Sequence, residues 1–160
     1  MYHAIVRRKL RFVFSSLSQG NFEPGLAGLA SRFDHVFSGT HALGGTRHTK
    51  AGMRRWFERL FLLFPKLDFT IKHIAVCGPP WNTYAMVEWK DTATPADGVP
   101  YVNDGTHFLR LRWGKVVSLH AYLDTQVVAD TCRRLAEWGL ADAAAPPLSG
   151  RRSTAAAWHP

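Results

Sequence analysis

The sequence predicts an α+β fold, with helices first, then an antiparallel meander of long strands, then one closing helix. Three observations carry that expectation. Apolar residues recur at helical spacing up to Phe64, they alternate with polar ones from Leu67 to Asp124, and helical spacing returns after Thr125. The chain has 160 residues, 46% hydrophobic and 20% charged, enough for one globular domain with its own core. Long twisted strands covered by helices on one face curl into a strongly curved, mostly antiparallel sheet around a pocket.

The elements follow in order. Residues 2–17 read as a helix, with Val6, Leu10, Val13, Phe14 and Leu17 on one face and Arg7, Arg8, Lys9 and Arg11 on the other. Gly20-Asn21 ends it. A helical turn is expected over Leu26–Ala30 and a short strand over Arg32–Ser38. The segment GTHALGGTRH, residues 39–48, lacks the Gly-Lys-Ser/Thr ending of a phosphate loop and no strand–GxGxxG–helix unit surrounds it, which rejects nucleotide binding. Thr49 is the expected cap of a helix striped by Met53, Trp56, Phe57, Leu60, Phe61 and Phe64 and stopped by Pro65. Strands follow over Leu67–Cys77 and Thr83–Thr92. Tyr101–Asp124 supplies two more, reversed at Trp113-Gly114-Lys115, where glycine accepts the positive φ of a tight turn. Thr125 is the expected cap of a last helix carrying Val128, Cys132, Leu135 and Ala136, closed by Gly139. Residues 1–140 form the expected domain. Residues 141–160, rich in Ala, Pro, Ser and Arg and without periodicity, are expected to be a disordered tail.

Charge and cysteine usage narrow the partners. The formal net charge is +8, and residues 1–60 hold ten Lys/Arg against three acids. No zinc-finger, RNA-recognition or zipper motif accompanies them, so a solvated basic face is favoured over nucleic-acid binding. No apolar run approaches the ~18–20 residues of a membrane span, and no membrane partner is expected. The start, MYHAIVRRKLRFVF, is too interrupted by Arg and Lys to read as a secretory signal. Two cysteines, Cys77 and Cys132, make neither a disulfide framework nor a metal site, and the expected compartment is a reducing cytoplasm. The histidines show no paired metal-ligand spacing, so no metal is expected.

Alternation assigns faces. In the last strand Val117, Leu119, Ala121 and Leu123 form the inward set, and Ser118, His120, Tyr122 and Asp124 the outward one. In the strand before it, Arg110 and Arg112 belong outside, which puts Asn103, Gly105, His107, Leu109 and Leu111 inside. Val87, Trp89 and Asp91 likewise share a face. His107 and Asp91 are therefore the sharpest candidates for chemistry.

These segments resemble the nuclear-transport-factor-2-like superfamily, in its SnoaL-like branch. The resemblance rests on GTRHTKAGMRRWFERLFLLFP, on a strand ending in EWKD and on DGVPYVNDGTHFLRLRWGKVVSLHAYLD, and spans about Phe12 to Leu140. It implies a cone-shaped roll with helices packed on the concave face of the sheet around a deep pocket. It also implies a homodimer through the sheet. Relatives include ketosteroid isomerases, limonene-type epoxide hydrolases, scytalone dehydratase, polyketide cyclases and binding proteins without catalysis, so the fold does not set the function.

Site roles carry over residue by residue. His107 matches the position where ketosteroid isomerases carry an oxyanion-stabilising acid, and a neutral imidazole can donate to a developing enolate. The isomerases' general base falls near Thr40-His41, where only His41 could substitute. Asp91 matches one Asp of the epoxide hydrolases, but Trp89 and Ala121 stand at their Arg and second Asp. Scytalone dehydratase uses a His pair, which His107 with His41 or His73 could imitate. Asp124 resembles the acid/base of the cyclases, or else it satisfies the N-terminus of the following helix. Trp56, Phe57, Trp89, Tyr101, Asn103 and Leu119 are expected to shape the pocket. Two readings stay open: a cofactor-independent isomerase, cyclase or dehydratase acting on a small polyketide-like or terpenoid carbonyl compound, and a non-catalytic module that binds a small hydrophobic molecule.

Overall fold

The computed structural model describes residues 1–150. Helix α1 spans Tyr2–Ser18, α2 Glu23–Gly28, α3 Lys50–Leu63 and α4 Thr125–Glu137. The strands are β1 Leu29–Phe37, β2 Gly45–Arg47, β3 Asp68–Cys77, β4 Thr83–Ala93, β5 Tyr101–Arg112 and β6 Lys115–Leu123. They form one sheet in the order β2-β1-β6-β5-β4-β3, antiparallel throughout except for the parallel pair β1–β6. This is the expected α+β roll. α1 buries Val6, Leu10 and Phe14 against Val87, Trp89, Leu109 and Leu111, while α3 buries Met53, Trp56, Leu60 and Leu63 in a second cluster with β1 and α4. No helix among the described residues is long and apolar enough to cross a membrane.

The departures from the sequence reading are local. Pro24 sits in the first turn of α2, where its missing N–H costs nothing, so the helix starts at Glu23 and ends before Leu29. β1 begins at Leu29 because that residue already pairs with Val116. β2 arises inside the Gly-rich loop, as Thr46 and Arg47 pair with Val36 and His35. A bulge between Ile71 and His73 turns β3 over. Phe69, Ile71, Ile74 and Val76 then pack inward, and His73 points out to Glu88 at 2.9 Å. A second bulge, opposite Leu111, turns Val116 inward in place of Val117. The outer sheet face exposes Met86, Val102, Phe108 and Tyr122.

The segment expected to be disordered from residue 141 is packed as far as Gly150. Ala141–Ala144 form a single 3-10 turn with Ala143 buried. Gly150 N–H donates to the Thr46 carbonyl at 2.9 Å, which lays the chain along the edge of β2. Residues 151–160 of that expected tail lie outside the described residues.

The cap of α4 is Asp124, not Thr125. Its Oδ1 accepts from the N–H groups of Gln126 (3.0 Å) and Val127 (3.3 Å), satisfying two orphan donors of the first turn. Asp124→Ala is expected to lower the unfolding free energy in urea by about 1 kcal/mol, and Asp124→Asn to retain most of it.

Candidate active site

The concave face of the sheet, α1 and α3 enclose a cavity of about 220 Å³. Its wall is almost wholly apolar, so each polar group in it is conspicuous. At one end the lining residues include Ile5, Lys9 and Gly114, where Ile5 and Lys9 are exposed; at the other they are Phe64, Leu67, Asp91, Tyr101 and Val128, all buried. The cavity therefore opens beside the N-terminal half of α1 and closes below α4.

His107 stands midway along this cavity, as alternation in β5 requires. The Trp89 indole N–H donates to its Nδ1 at 2.6 Å. Gly105 makes this contact possible. A Cβ there would lie 2.5 Å from the Trp89 ring, so only glycine lets the indole lie across β5. An Nδ1 that accepts cannot carry a proton, so the ring proton sits on Nε2. That nitrogen has no protein partner among the described residues and keeps accessible surface. The ring is half-buried by surface area yet enclosed on all sides by protein, because the surface it retains faces the cavity. Loss of hydration lowers its pKa to about 4 and keeps it neutral. Phe14 of α1 packs edge-on against the ring at 5.3 Å.

A second histidine, His35 of β1, repeats this arrangement. Arg47 Nε donates to its Nδ1 at 2.9 Å, again leaving the proton on Nε2. His35 lines the cavity and packs edge-on against Trp56 at 4.8 Å. Burial first, then the charge of Arg47, holds its pKa well below the ordinary value. The registers put His35 opposite Leu119 and His107 opposite Ala121, with β6 between them. The two backbones are thus about 10 Å apart, and both rings present an N–H to one apolar space. His35 escaped the sequence reading. The signal was there: Phe33, His35 and Phe37 alternate inward along β1.

Arg47 is only 1% exposed and meets no carboxylate among the described residues. Its other N–H groups donate to the carbonyls of Leu43, Gly44, Gly45 and Leu148. Burial pushes its pKa down to about 10, so it stays cationic at neutrality, neutralised by carbonyl dipoles. Its guanidinium also lies 5.3 Å from the Trp56 ring centroid.

Asp91 occupies the closed end. It is 5% exposed, its Oδ1 has no partner, and burial pushes its pKa up to about 7. Tyr101 lies beside it, its hydroxyl held well above the ordinary range by burial and then by the Asp91 charge. Asp91 points inward like His107 but does not face it. Asp91 pairs with Asn103 and His107 pairs with Val87, so Trp89 stands between them and about 13 Å of strand separates them.

The other expected site residues divide clearly. Trp56, Phe57, Trp89, Tyr101 and Leu119 line the cavity. Asn103 does not; its Nδ2 donates to the Tyr101 hydroxyl (3.1 Å) and to the Asp124 carbonyl (2.9 Å), so it positions Tyr101 and ties β5 to α4. His41 is outside the lining, its Nδ1 taken by Leu43 N–H at 3.3 Å and its Nε2 buried beneath Gly39, which corrects its assignment as a substitute base. Asp124 is committed to capping α4, and His73 is on the outer face, so neither supplies an acid, a base or a second imidazole to this cavity. Among the described residues no three His, Cys, Asp or Glu side chains are grouped to hold a metal ion.

Two measurements test this geometry. Trp89→Phe deletes the one donor to His107 Nδ1 among the described residues. 15N NMR of the imidazole is expected to show the single Nε2–H form in the parent and tautomer exchange in the variant. For Asp91, the folded pKa near 7 exceeds the unfolded value of about 3.9, so the folded chain binds the extra proton and stability falls as pH rises between them. Asp91→Asn is expected to raise the unfolding free energy at pH 8 by about 2–4 kcal/mol and change it little at pH 4. His107 acts oppositely, its contribution being lost as pH falls through its folded pKa of about 4, and it cancels in the comparison with the parent.

Known proteins place this architecture. A model of the SnoaL-like domain matches residues 11–119. The structure is similar to PrhC from Penicillium brasilianum at 19% identity and a TM-score of 0.72, over 86% of this chain and 92% of that one. It is similar to a nuclear-transport-factor-2-like protein of unknown function from Burkholderia pseudomallei at 16% identity and a TM-score of 0.71, over 79% of this chain and 95% of that one. TerC, in a structure co-crystallised with polyporic acid, is similar at 15% identity and a TM-score of 0.63, over 79% and 96% of the two chains. Such distant likenesses concern the fold alone. No curated protein gives a significant sequence match. With the matched segment running from α1 into β6 and the cone-like roll around its cavity, the chain belongs to the SnoaL-like domain family.

Proposed function

We propose that the protein is a cofactor-independent acid/base catalyst acting on a small lipophilic carbonyl compound of polyketide or terpenoid type. The observation that carries this is the Trp89–His107 hydrogen bond, which holds a neutral imidazole with its Nε2–H open to an apolar cavity. Such a donor, preorganised in a dry site, stabilises negative charge on a carbonyl oxygen. Asp91, poised near 7 by burial, is matched to proton transfer at neutrality. In the step, the Asp91 carboxylate takes a proton from carbon, the C–H electron pair moves through the conjugated system, and the oxygen becomes an enolate held by His107 Nε2–H. The protonated Asp91 then returns the proton to another carbon, giving the isomer. The separation of Asp91 from His107 suits a substrate whose acidic C–H lies several bonds from its carbonyl oxygen. His35 supplies a second donor for a second oxygen.

The second reading is a non-catalytic binding module. It is favoured by the same separation, since no carboxylate among the described residues touches either imidazole. In both readings two copies associate through the outer sheet face, where Met86, Val102, Phe108 and Tyr122 are exposed.

Lipophilic enones and 1,3-dicarbonyl compounds selected by thermal shift, then incubated in deuterium oxide and followed by mass spectrometry, separate the two readings. Catalysis is expected to incorporate solvent deuterium, with kcat/KM rising with pH through about 7 as Asp91 ionises. Asp91→Asn is expected to remove that limb and lower the rate about 10²–10⁴-fold. Tight binding without exchange at any pH would establish the binding module instead. An undiminished rate in His107→Phe would end the role given to His107.

A further inference from the structure

Three chain segments meet at the open end of the cavity. The first turns of α1 are fastened to both neighbouring hairpin turns: His3 Nε2 lies 2.7 Å from the Gly78 carbonyl, the Tyr2 hydroxyl 2.8 Å from Thr83 Oγ1, and Lys9 Nζ donates to the Gly114 carbonyl at 2.8 Å. The two turns are themselves joined, as Trp113 N–H donates to the Pro80 carbonyl at 2.7 Å. The segments that meet here, residues 1–10, 77–83 and 110–117, contain six Lys/Arg (Arg7, Arg8, Lys9, Arg110, Arg112 and Lys115) and not one Asp or Glu. Lys9 and Lys115 are close enough for their charges to oppose each other.

Ahead of this basic end stand large apolar side chains that the fold does not cover. Trp113 is 73% exposed, Trp81 and Ile5 57% each, and the two indoles lie 6.0 Å apart at the turn tips. Trp113 also holds φ +51, a left-handed conformation in which a Trp is rare and strained and an Asn or Gly would be at ease. Neither core packing nor turn chemistry explains a Trp there. Amphipathic indoles with basic side chains around them match the headgroup zone of an anionic bilayer. Ile5 and Lys9 belong at once to this end and to the cavity mouth.

We propose that this end of the molecule docks on the surface of an anionic phospholipid membrane, with Trp81, Trp113 and Ile5 entering the headgroup zone and the cavity mouth facing the lipid. A lipophilic ligand then passes between bilayer and cavity without crossing water. The absence of a spanning segment, from which no membrane partner was expected, does not bear on such peripheral contact. A nucleic-acid surface would share the basic groups but not the apolar tips around a cavity mouth.

The test is co-sedimentation of the full chain with phosphatidylcholine vesicles, with and without phosphatidylserine, at low and high salt. Binding is expected to require phosphatidylserine, to weaken with salt, and to fall at least ~10-fold in Trp81→Ala/Trp113→Asn. Arg8→Glu, on the exposed face of α1, is expected to weaken it ~10-fold as well. Because Asn suits the left-handed turn position, the double variant is expected to keep the parent's far-ultraviolet circular dichroism. Failure to bind phosphatidylserine vesicles at low salt overturns the proposal. So does binding that both variants leave unchanged, or retention on an oligonucleotide in preference to vesicles. No substrate enters this assay, so its failure leaves the acid/base reading standing, and failure of that reading leaves the docking surface standing.

Discussion

The buried guanidinium of Arg47 is the interaction on which the site side of this fold depends. An unpaired cation in an apolar interior costs several kcal/mol unless every N–H finds an acceptor. Here the acceptors are one imidazole and four carbonyls, drawn from β1, the Gly-rich loop and the segment after α4. The loop must wrap around the guanidinium to present its carbonyls, which is why GTHALGGTRH is rich in glycine without binding a phosphate. The last described residues contribute as well: Leu148 accepts from Arg47 and Pro146 from Arg59. Ser149 Oγ accepts from Thr46 N–H at 3.3 Å. A segment with no hydrophobic periodicity is held by hydrogen bonds to two arginines and a strand edge.

The same logic runs through the cavity. Each of its two imidazoles is fixed by an N–H from a residue behind it, Arg47 for His35 and the Trp89 indole for His107. Both are therefore neutral, and both carry their remaining proton toward the space a ligand would fill. Asp91 faces the opposite problem. Burial without a cation makes its charged form expensive, so its pKa rises where those of the imidazoles fall. One low-dielectric environment thus yields two neutral donors and one carboxyl poised near neutrality. Along the cavity, strand register sets the imidazoles before the carboxyl, and α1 brings Lys9 to the mouth.

Much of this was legible in the chain. Helical spacing in α1 and α3 and alternation in β4 and β5 are imposed by burying one face, so the α+β class, the boundaries of β3 to β6 and the inward direction of Trp89, Asp91, His107 and Leu119 could be read from periodicity. The cap was read both as Thr125 and as Asp124 because both are competent caps, and only the backbone path decides which side chain meets the first N–H groups. The outward direction of His73 was not legible, because a bulge leaves no mark in an alternating sequence.

What the sequence determined by itself, then, was every α-helix and strand but the short β2 and, away from the two bulges, the face each side chain occupies, since both depend on local period and burial. Tertiary structure alone decided which of those side chains meet. His35 became part of the site because a parallel pairing, β1 on β6, set it two strands from His107. Arg47 became its partner because a three-residue strand formed in the Gly-rich loop, and Asp91 was separated from His107 by the register of β4 on β5. Register and loop closure are properties of the packed sheet, in which distances between residues remote in sequence are set by hydrogen bonding across strands, and no local pattern encodes them.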